Sequence, residues 1–291
     1  MGHHHPHHAV LVRHLDLFSG IGAMSAGMQR AGIETIAFVE NNPYCRQVLE
    51  ARWPDVPIHE DIREFDGRSV GHVDIVSGGF PCQTVSFAGK RLGENDDRWM
   101  WPDMLRVVGE ARPRWVLVEN VVGLLSADSG RLMGRVLGEL AALGFCCRWD
   151  CIPAAAVGAP HIRDRVWILA HHHPTLRQQC RWCRGESGKS TTLSPLHGEE
   201  QLVADGDEGR REGFWESQPR GIERTCWCEL DGRRALRELI DEARGQGWPV
   251  EPDMDRVVPW TSESVDRLEA LGNSLVPPIA EIYGRVISAA A

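Results

Sequence analysis

A cysteine follows a proline in Gly78-Gly79-Phe80-Pro81-Cys82-Gln83, directly after an apolar run, Val73 to Val76, that reads as a buried strand. A second apolar run, Trp115-Val116-Leu117-Val118, ends in Glu119-Asn120-Val121. A thiol and a carboxyl therefore finish two strands of what reads as one sheet. Open parallel sheets bind their ligands at the carboxyl ends of the strands. A thiolate there is a nucleophile, and a nearby carboxyl can hold or give a proton, so the pair suits covalent catalysis, which splits one hard step into easier ones. The thiolate is the reactive form, so positive charge or a helix N-terminus is expected close to Cys82.

Two further strings must be positioned with this pair. In Ala159-Pro160-His161-Ile162-Arg163-Asp164-Arg165-Val166-Trp167, alternating arginines enter an apolar strand. Side chains two apart on a strand share a face, so Arg163 and Arg165 point the same way, toward an anionic ring, a phosphate or the surroundings of the cysteine. Upstream, Leu15-Asp16-Leu17-Phe18 runs into Ser19-Gly20-Ile21-Gly22. A helix is expected from Ala23 to about Ala31, with Gly32 as its C-cap, then a strand from Ile33 to Val39 ending in the acid Glu40. Strand, glycine turn, helix, strand and acid make a Rossmann-type site: glycines let the backbone approach the ligand and the acid takes ribose hydroxyls.

Taken together, Asp-Leu-Phe-Ser-Gly-Ile-Gly, Pro-Cys-Gln, Glu-Asn-Val and the paired arginines resemble the signature of the DNA (cytosine-5) methyltransferases, in a compact, phage or bacterial version. Gly272-Asn273-Ser274-Leu275-Val276-Pro277, ahead of a helix from about Ile279 to Ser288, resembles the last motif of that family. The resemblance spans about residues 13 to 170 and 251 to 291. It implies a doubly wound α/β, Rossmann-like sheet that binds S-adenosyl-L-methionine, with a small inserted target-recognition domain. The domains would be 9–170 (catalytic and cofactor-binding), 171–250 (target recognition) and 251–291 (return to the catalytic domain).

The resemblance also implies roles. Phe18 and the backbone of Gly20, Ile21 and Gly22 would flank the methionine part of the cofactor, Glu40 would bind the ribose, and Asp61 would accept from the adenine amino group beside Ile62 and Pro81. Asn273 and Ser274 would touch the cofactor. Cys82 would attack C6 of a cytosine flipped out of duplex DNA, making C5 nucleophilic enough to take a methyl group, with Glu119 at N3 and Arg165 on the O2 side. Ser86 and Arg98, on the loop after the nucleophile, would contact DNA as that loop closes. Two departures stand out: relatives carry a bulky aromatic after the ribose acid where this chain has Asn41, and Gln where it has His161.

Composition is ordinary for a soluble globular protein, with 42% hydrophobic and 25% charged residues. The formal charge of -9 means that a DNA-binding face must be a local patch. Lys90 and Lys189 are the only lysines, so that patch would be arginine. No apolar run is long enough to span a bilayer and no signal peptide is evident, which points to a cytoplasmic protein. The His-rich start, Met1 to His8, reads as a tag-like or solvated tail. Cys45, Cys146, Cys147 and Cys151 read as reduced core residues.

The middle segment mixes Gly, Ser, Glu and Arg without clear periodicity. It holds Cys180, Cys183, Cys226 and Cys228, which are either reduced thiols without a metal or a four-thiolate structural zinc site. The expected partners are duplex DNA and a cognate restriction endonuclease, with the chain itself a monomer. Three alternatives stay open: tRNA as substrate, a DNA-binding protein with a decayed site, and transfer of a modified group instead of methyl.

Overall fold

A computed structural model describes residues 11–81, 99–172, 231–245, 270 and 274–290. Seven strands form one sheet in the order β3-β2-β1-β4-β5-β7-β6. They are β1 (Arg13–Leu17), β2 (Glu34–Val39), β3 (Ile58–His59), β4 (Ile75–Gly78), β5 (Trp115–Val121), β6 (Phe145–Pro153) and β7 (Asp164–His172). The helices are α1 (Ala23–Arg30), α2 (Pro43–Arg52), α3 (Trp101–Ala111), α4 (Arg131–Ala142), α5 (Asp231–Gly245) and α6 (Pro277–Ala290).

The first five strands are parallel, whereas β7 runs antiparallel between β5 and β6. The reason is local. Only a 3₁₀ turn, Ala154–Val157, and a short link separate β6 from β7, too little chain for the crossover that a parallel partner needs.

The strands alternate between two cores. Val116 and Val118 of β5 join Leu15, Leu17, Met104 of α3 and Leu132 of α4 on one face, while Trp115 and Leu117 join Met24 and Met28 of α1 and Ile279 of α6 on the other. A central strand covered on both faces reads as an unbroken apolar run, as β5 does. The helix after the glycine turn ends with Gly32 at φ 79, as expected for its C-cap, with Ile33 N donating to Met28 O and Gly32 N to Gln29 O at 3.0 Å each.

Helix α5 lies inside 171–250, where the sequence reading finds no periodicity. Leu236 and Ile240 are buried in the second core, beside Ala156, Val157 and α6, so this helix packs on the sheet domain. Cys45, Cys146 and Cys147 are buried and Cys151 partly so. Among the described residues, no helix is long and apolar enough to cross a membrane.

Candidate active site

The cofactor side begins where β1 ends. Phe18 (φ 54), Gly20 (φ 54) and Gly22 (φ 80) turn the chain sharply into α1. Ser19 ties the turn down: its N–H donates to Val39 O (3.2 Å) and its hydroxyl to Asp16 O (2.7 Å). Gly22 is required by close approach, since a Cβ there would stand 2.4 Å from the Trp53 ring. A Cβ on Gly20 would meet nothing within 4 Å, so that part of the loop is open to a ligand.

Glu40, at the end of β2, is buried and accepts from Gly20 N–H and Asn42 N–H at 2.7 Å each. The acid is thus fixed against the loop it was expected to serve. Asp61, after β3, accepts from Arg63 N–H (2.9 Å), while Ile62 is buried in the first core. Arg46 of α2 donates to Asn41 O (2.7 Å) and pairs with Glu60 (3.3 Å), linking the two stretches that carry Glu40 and Asp61. Ile21 is partly exposed. Ser274 lies just before α6, whose start is pressed onto α1: a Cβ on Gly27 would lie 2.5 Å from Pro277 O. An open glycine loop, a fixed buried carboxylate and a second, half-buried carboxylate suit a nucleoside with an amino-acid tail.

The catalytic side is built on the ends of β4 and β5. Gly79, Phe80 and Pro81 follow β4, and Phe80 is locked edge-on against Trp99 with ring centroids 5.2 Å apart. Asn120 Nδ2 donates to Phe80 O (3.0 Å), while its Oδ1 accepts from Val121 N–H (2.9 Å). A Cβ on Gly79 would come within 2.9 Å of Glu119 Oε2, so the Glu119 carboxylate lies over the segment that leads into Cys82.

Strand register explains the next contact. Val121 pairs with Arg165 and Glu119 with Trp167, so Glu119 and Arg165 are diagonal neighbours on one face. Arg165 Nε and Glu119 Oε1 are 2.9 Å apart, with side chains 22% and 12% exposed. Burial pushes the Glu119 carboxyl above its ordinary range, and the positive charges of Arg165 and Arg163 oppose that rise. Burial, and then the charge of Arg165, lower Arg163. The carboxyl is therefore biased toward its protonated form, within reach of two cations that can stabilise its anion.

The structure thus brings Glu119 together with Arg163 and Arg165 beside Gly79, and Phe18, Gly20, Gly22 and Glu40 together at the loop. Cys82, Ser86, Arg98 and Asn273 lie outside the described residues, as do Cys180, Cys183, Cys226 and Cys228. Among the described residues, no group of His, Cys, Asp and Glu is placed to hold a metal. The sequence reading assigns no role to His14, Ser25, Thr35 or Ser77, which form a buried polar thread under the loop. The signal available for it is a histidine and an aspartate inside a strand that is otherwise apolar where it is buried.

Fold and site together define a class that comparison with known proteins names. Residues 12–226 match the family of the C-5 cytosine-specific DNA methylases, and the chain belongs to that family. It is 34% identical over 157 residues to the type II methyltransferase M.NgoMIV of Neisseria gonorrhoeae, covering 54% of this chain and 50% of that one. It is 33% identical over 175 residues to the type II methyltransferase M.AquIA of a Picosynechococcus strain, covering 54% of this chain and 71% of that one. The chain thus spans half the length of the first relative. Two solved structures share the fold across nearly the whole chain. A methyltransferase, EhMeth, of Entamoeba histolytica has a TM-score of 0.55 at 13% identity, covering 95% of this chain and 98% of that one. The Dnmt2 methyltransferase of S. pombe has 0.52 at 18%, covering 96% and 98%.

Proposed function

We propose that this chain transfers a methyl group from S-adenosyl-L-methionine to C5 of a cytosine in duplex DNA. The observation that carries the reading is the buried Glu119 carboxyl, paired with Arg165 and held beside Gly79, three residues before Cys82 in the chain. Family membership supports it. The relatives M.NgoMIV and M.AquIA are named type II methyltransferases, which makes a restriction endonuclease the expected partner of this chain's activity.

The chemistry follows from the groups present. The target base leaves the helix stack, because C6 cannot be reached inside it. The Cys82 thiolate forms a bond to C6, and the electron pair moves onto N3 and O2. Glu119 gives its proton to N3, and Arg165 supports the O2 side. C5, now enamine-like, would take the methyl group as the S–CH3 bond of the sulfonium breaks and its electron pair stays on sulfur, leaving a neutral thioether. A base then removes the C5 proton, the electrons expel Cys82 from C6, and Glu119 regains its proton from N3. Glu40 would hold the ribose and Asp61 the adenine, Phe18 and the Gly20–Gly22 backbone would flank the methionine part, Asn273 and Ser274 would touch the cofactor, and Ser86 and Arg98 would contact the DNA.

The test is single-base bisulfite sequencing of DNA from a methylation-free host expressing the chain, beside Cys82→Ala. Methylated cytosines in one sequence context, absent with the variant, are expected. Methylation that survives the substitution would overturn Cys82 as nucleophile. Unmodified DNA from both would overturn duplex DNA as the substrate and direct the assay to tRNA.

A further inference from the structure

A polar thread crosses the floor of the cofactor half, and none of the steps above uses it. Thr35 on β2, His14 and Asp16 on β1, Ser77 on β4 and Ser25 on α1 are all buried. His14 Nδ1 lies 3.0 Å from Thr35 Oγ1, and its Nε2 lies 2.6 Å from Ser77 Oγ. The two oxygens of Asp16 sit 3.3 Å from Ser77 Oγ and 2.6 Å from Ser25 Oγ.

Donor counting limits what such a thread can do. A neutral imidazole has one donor and one acceptor nitrogen, and a hydroxyl has one hydrogen to give. With Asp16 ionised, the carboxylate only accepts. Ser77 then donates to it and accepts from Nε2–H of His14, which leaves Nδ1 to accept from Thr35. With Asp16 protonated toward Ser77, each bond turns round: Asp16 donates to Ser77, Ser77 to Nε2, and Nδ1–H to Thr35. Ser25 donates to the second oxygen in both cases. A mixed arrangement would strand a buried donor or acceptor, which is costly away from water.

We propose that Thr35, His14, Ser77 and Asp16 form one reversible hydrogen-bond chain, that the tautomer of His14 is locked to the proton on Asp16, and that His14 is thereby a positioning residue for the cofactor loop. The chain touches both halves of the site. The backbone carbonyl of Asp16 accepts from Ser19 in the glycine turn, Ser25 lies in the first turn of α1, and Ser77 lies on β4 just ahead of Gly79 and Phe80.

Among the described residues, Glu40, from the end of β2, is the charged group that acts on Asp16; β1 adds His14, α1 the hydroxyl of Ser25, and β4 that of Ser77. Burial, reinforced by Glu40 and opposed by the serine bonds, raises Asp16 to about 7. Burial lowers His14 to about 3, so the ring stays neutral while the chain reverses. The consequence for the cofactor rests on the function proposed above: a positively charged ligand on the loop favours the ionised form of Asp16 and the Nε2–H tautomer.

The ¹⁵N resonances of the His14 ring in the intact protein test this directly. They should report one neutral tautomer near about pH 5 and the other near about pH 9, with the change centred near neutrality. Ser77→Ala, which cuts the chain, should uncouple the tautomer from pH. A single tautomer throughout, a charged ring, or a change that survives Ser77→Ala would overturn the proposal.

Calorimetry with S-adenosyl-L-methionine in two buffers of different ionisation heat reads the link to the cofactor. Below the midpoint, binding should release a proton and weaken about tenfold per pH unit, and Asp16→Asn should abolish both effects. Binding without proton release at acid pH would overturn the link while the tautomer result stands alone. No binding at any pH would overturn the cofactor reading itself, and the chain would still be decided by the tautomers.

Discussion

The carboxamide of Asn120 donates to the main-chain carbonyl of Phe80 across 3.0 Å, tying the end of β5 to the segment that leads from β4 into Cys82. Both residues are buried, so neither group has water to turn to. Asn120→Ala removes that donor and also the acceptor of Val121 N–H. The expected cost is about 1–3 kcal/mol in urea unfolding. Methyl transfer should fall further than stability does, because the strand end that carries Glu119 is no longer tied to Phe80. Cofactor affinity, measured by calorimetry, should change little. A variant that loses cofactor affinity and rate in equal proportion would show that Asn120 does not act on the catalytic side alone.

Arg165 stands as the close counter-charge of Glu119, with Arg163 acting alongside. Arg165→Met leaves a buried carboxyl with less to offset its desolvation, so its pKa, already raised by burial, rises further. A carboxyl raised by folding stabilises the folded state fully below its unfolded pKa and loses that contribution as pH rises through the folded value. The variant should therefore be closest to the parent in acid and fall behind progressively toward alkaline pH. Denaturant unfolding at several pH values checks this. A deficit that is equal at all pH values would mean that Arg165 acts through packing and not through charge.

Gly22 combines a φ of 80 with a Trp53 ring where a Cβ would go. Gly22→Ala should cost about 1–3 kcal/mol from overpacking and backbone strain together. It should also weaken cofactor binding, because the turn shifts with it. Adding Trp53→Leu removes the ring but not the strain in φ, so the double variant should recover part of the stability and not all of it. Full recovery would show that the backbone at Gly22 is unstrained; no recovery would place the cost in φ and in Leu49 Cδ2, 2.9 Å from the Cβ, and not in the ring.

Much of this site is legible in sequence because its residues punctuate apolar runs. Glu40 follows a buried strand, Glu119 breaks the apolar run of one near its end, and Gly20 and Gly22 mark a turn that only a few backbone shapes satisfy. The contact between Glu119 and Arg165 is a matter of register between β5 and β7, two strands far apart in the chain, and no local pattern carries it. The antiparallel direction of β7 follows from a short connection that becomes evident once β6 is placed. Helix α5 had a signal. Leu236, Leu239, Ile240 and Ala243 recur at helical spacing, but the charged residues of Asp231–Gly245 outnumber them and mask the stripe that packs on α6. Single polar residues inside a core, such as His14 and Ser77, have no periodicity at all, and their partners lie on other strands.

Asp16 and His14 should leave opposite marks on stability. Asp16 is raised from 3.8 to about 7, so its contribution is complete below 3.8 and is lost as pH climbs toward about 7. His14 is lowered from 6.5 to about 3, so its contribution is complete above 6.5 and is lost as pH falls toward about 3. Between 3.8 and 6.5 the two slopes overlap with opposite sign and largely cancel. Each substitution should unmask the other group. Relative to the parent, Asp16→Asn should gain stability with rising pH across that window, and His14→Phe should lose it, each by up to about 1.4 kcal/mol per pH unit. The readout is the slope of unfolding free energy against pH, so a uniform loss from disturbing the core does not obscure it. Parallel curves for parent and variants would mean that neither group changes its proton affinity on folding, and would remove the basis for a chain that answers to pH.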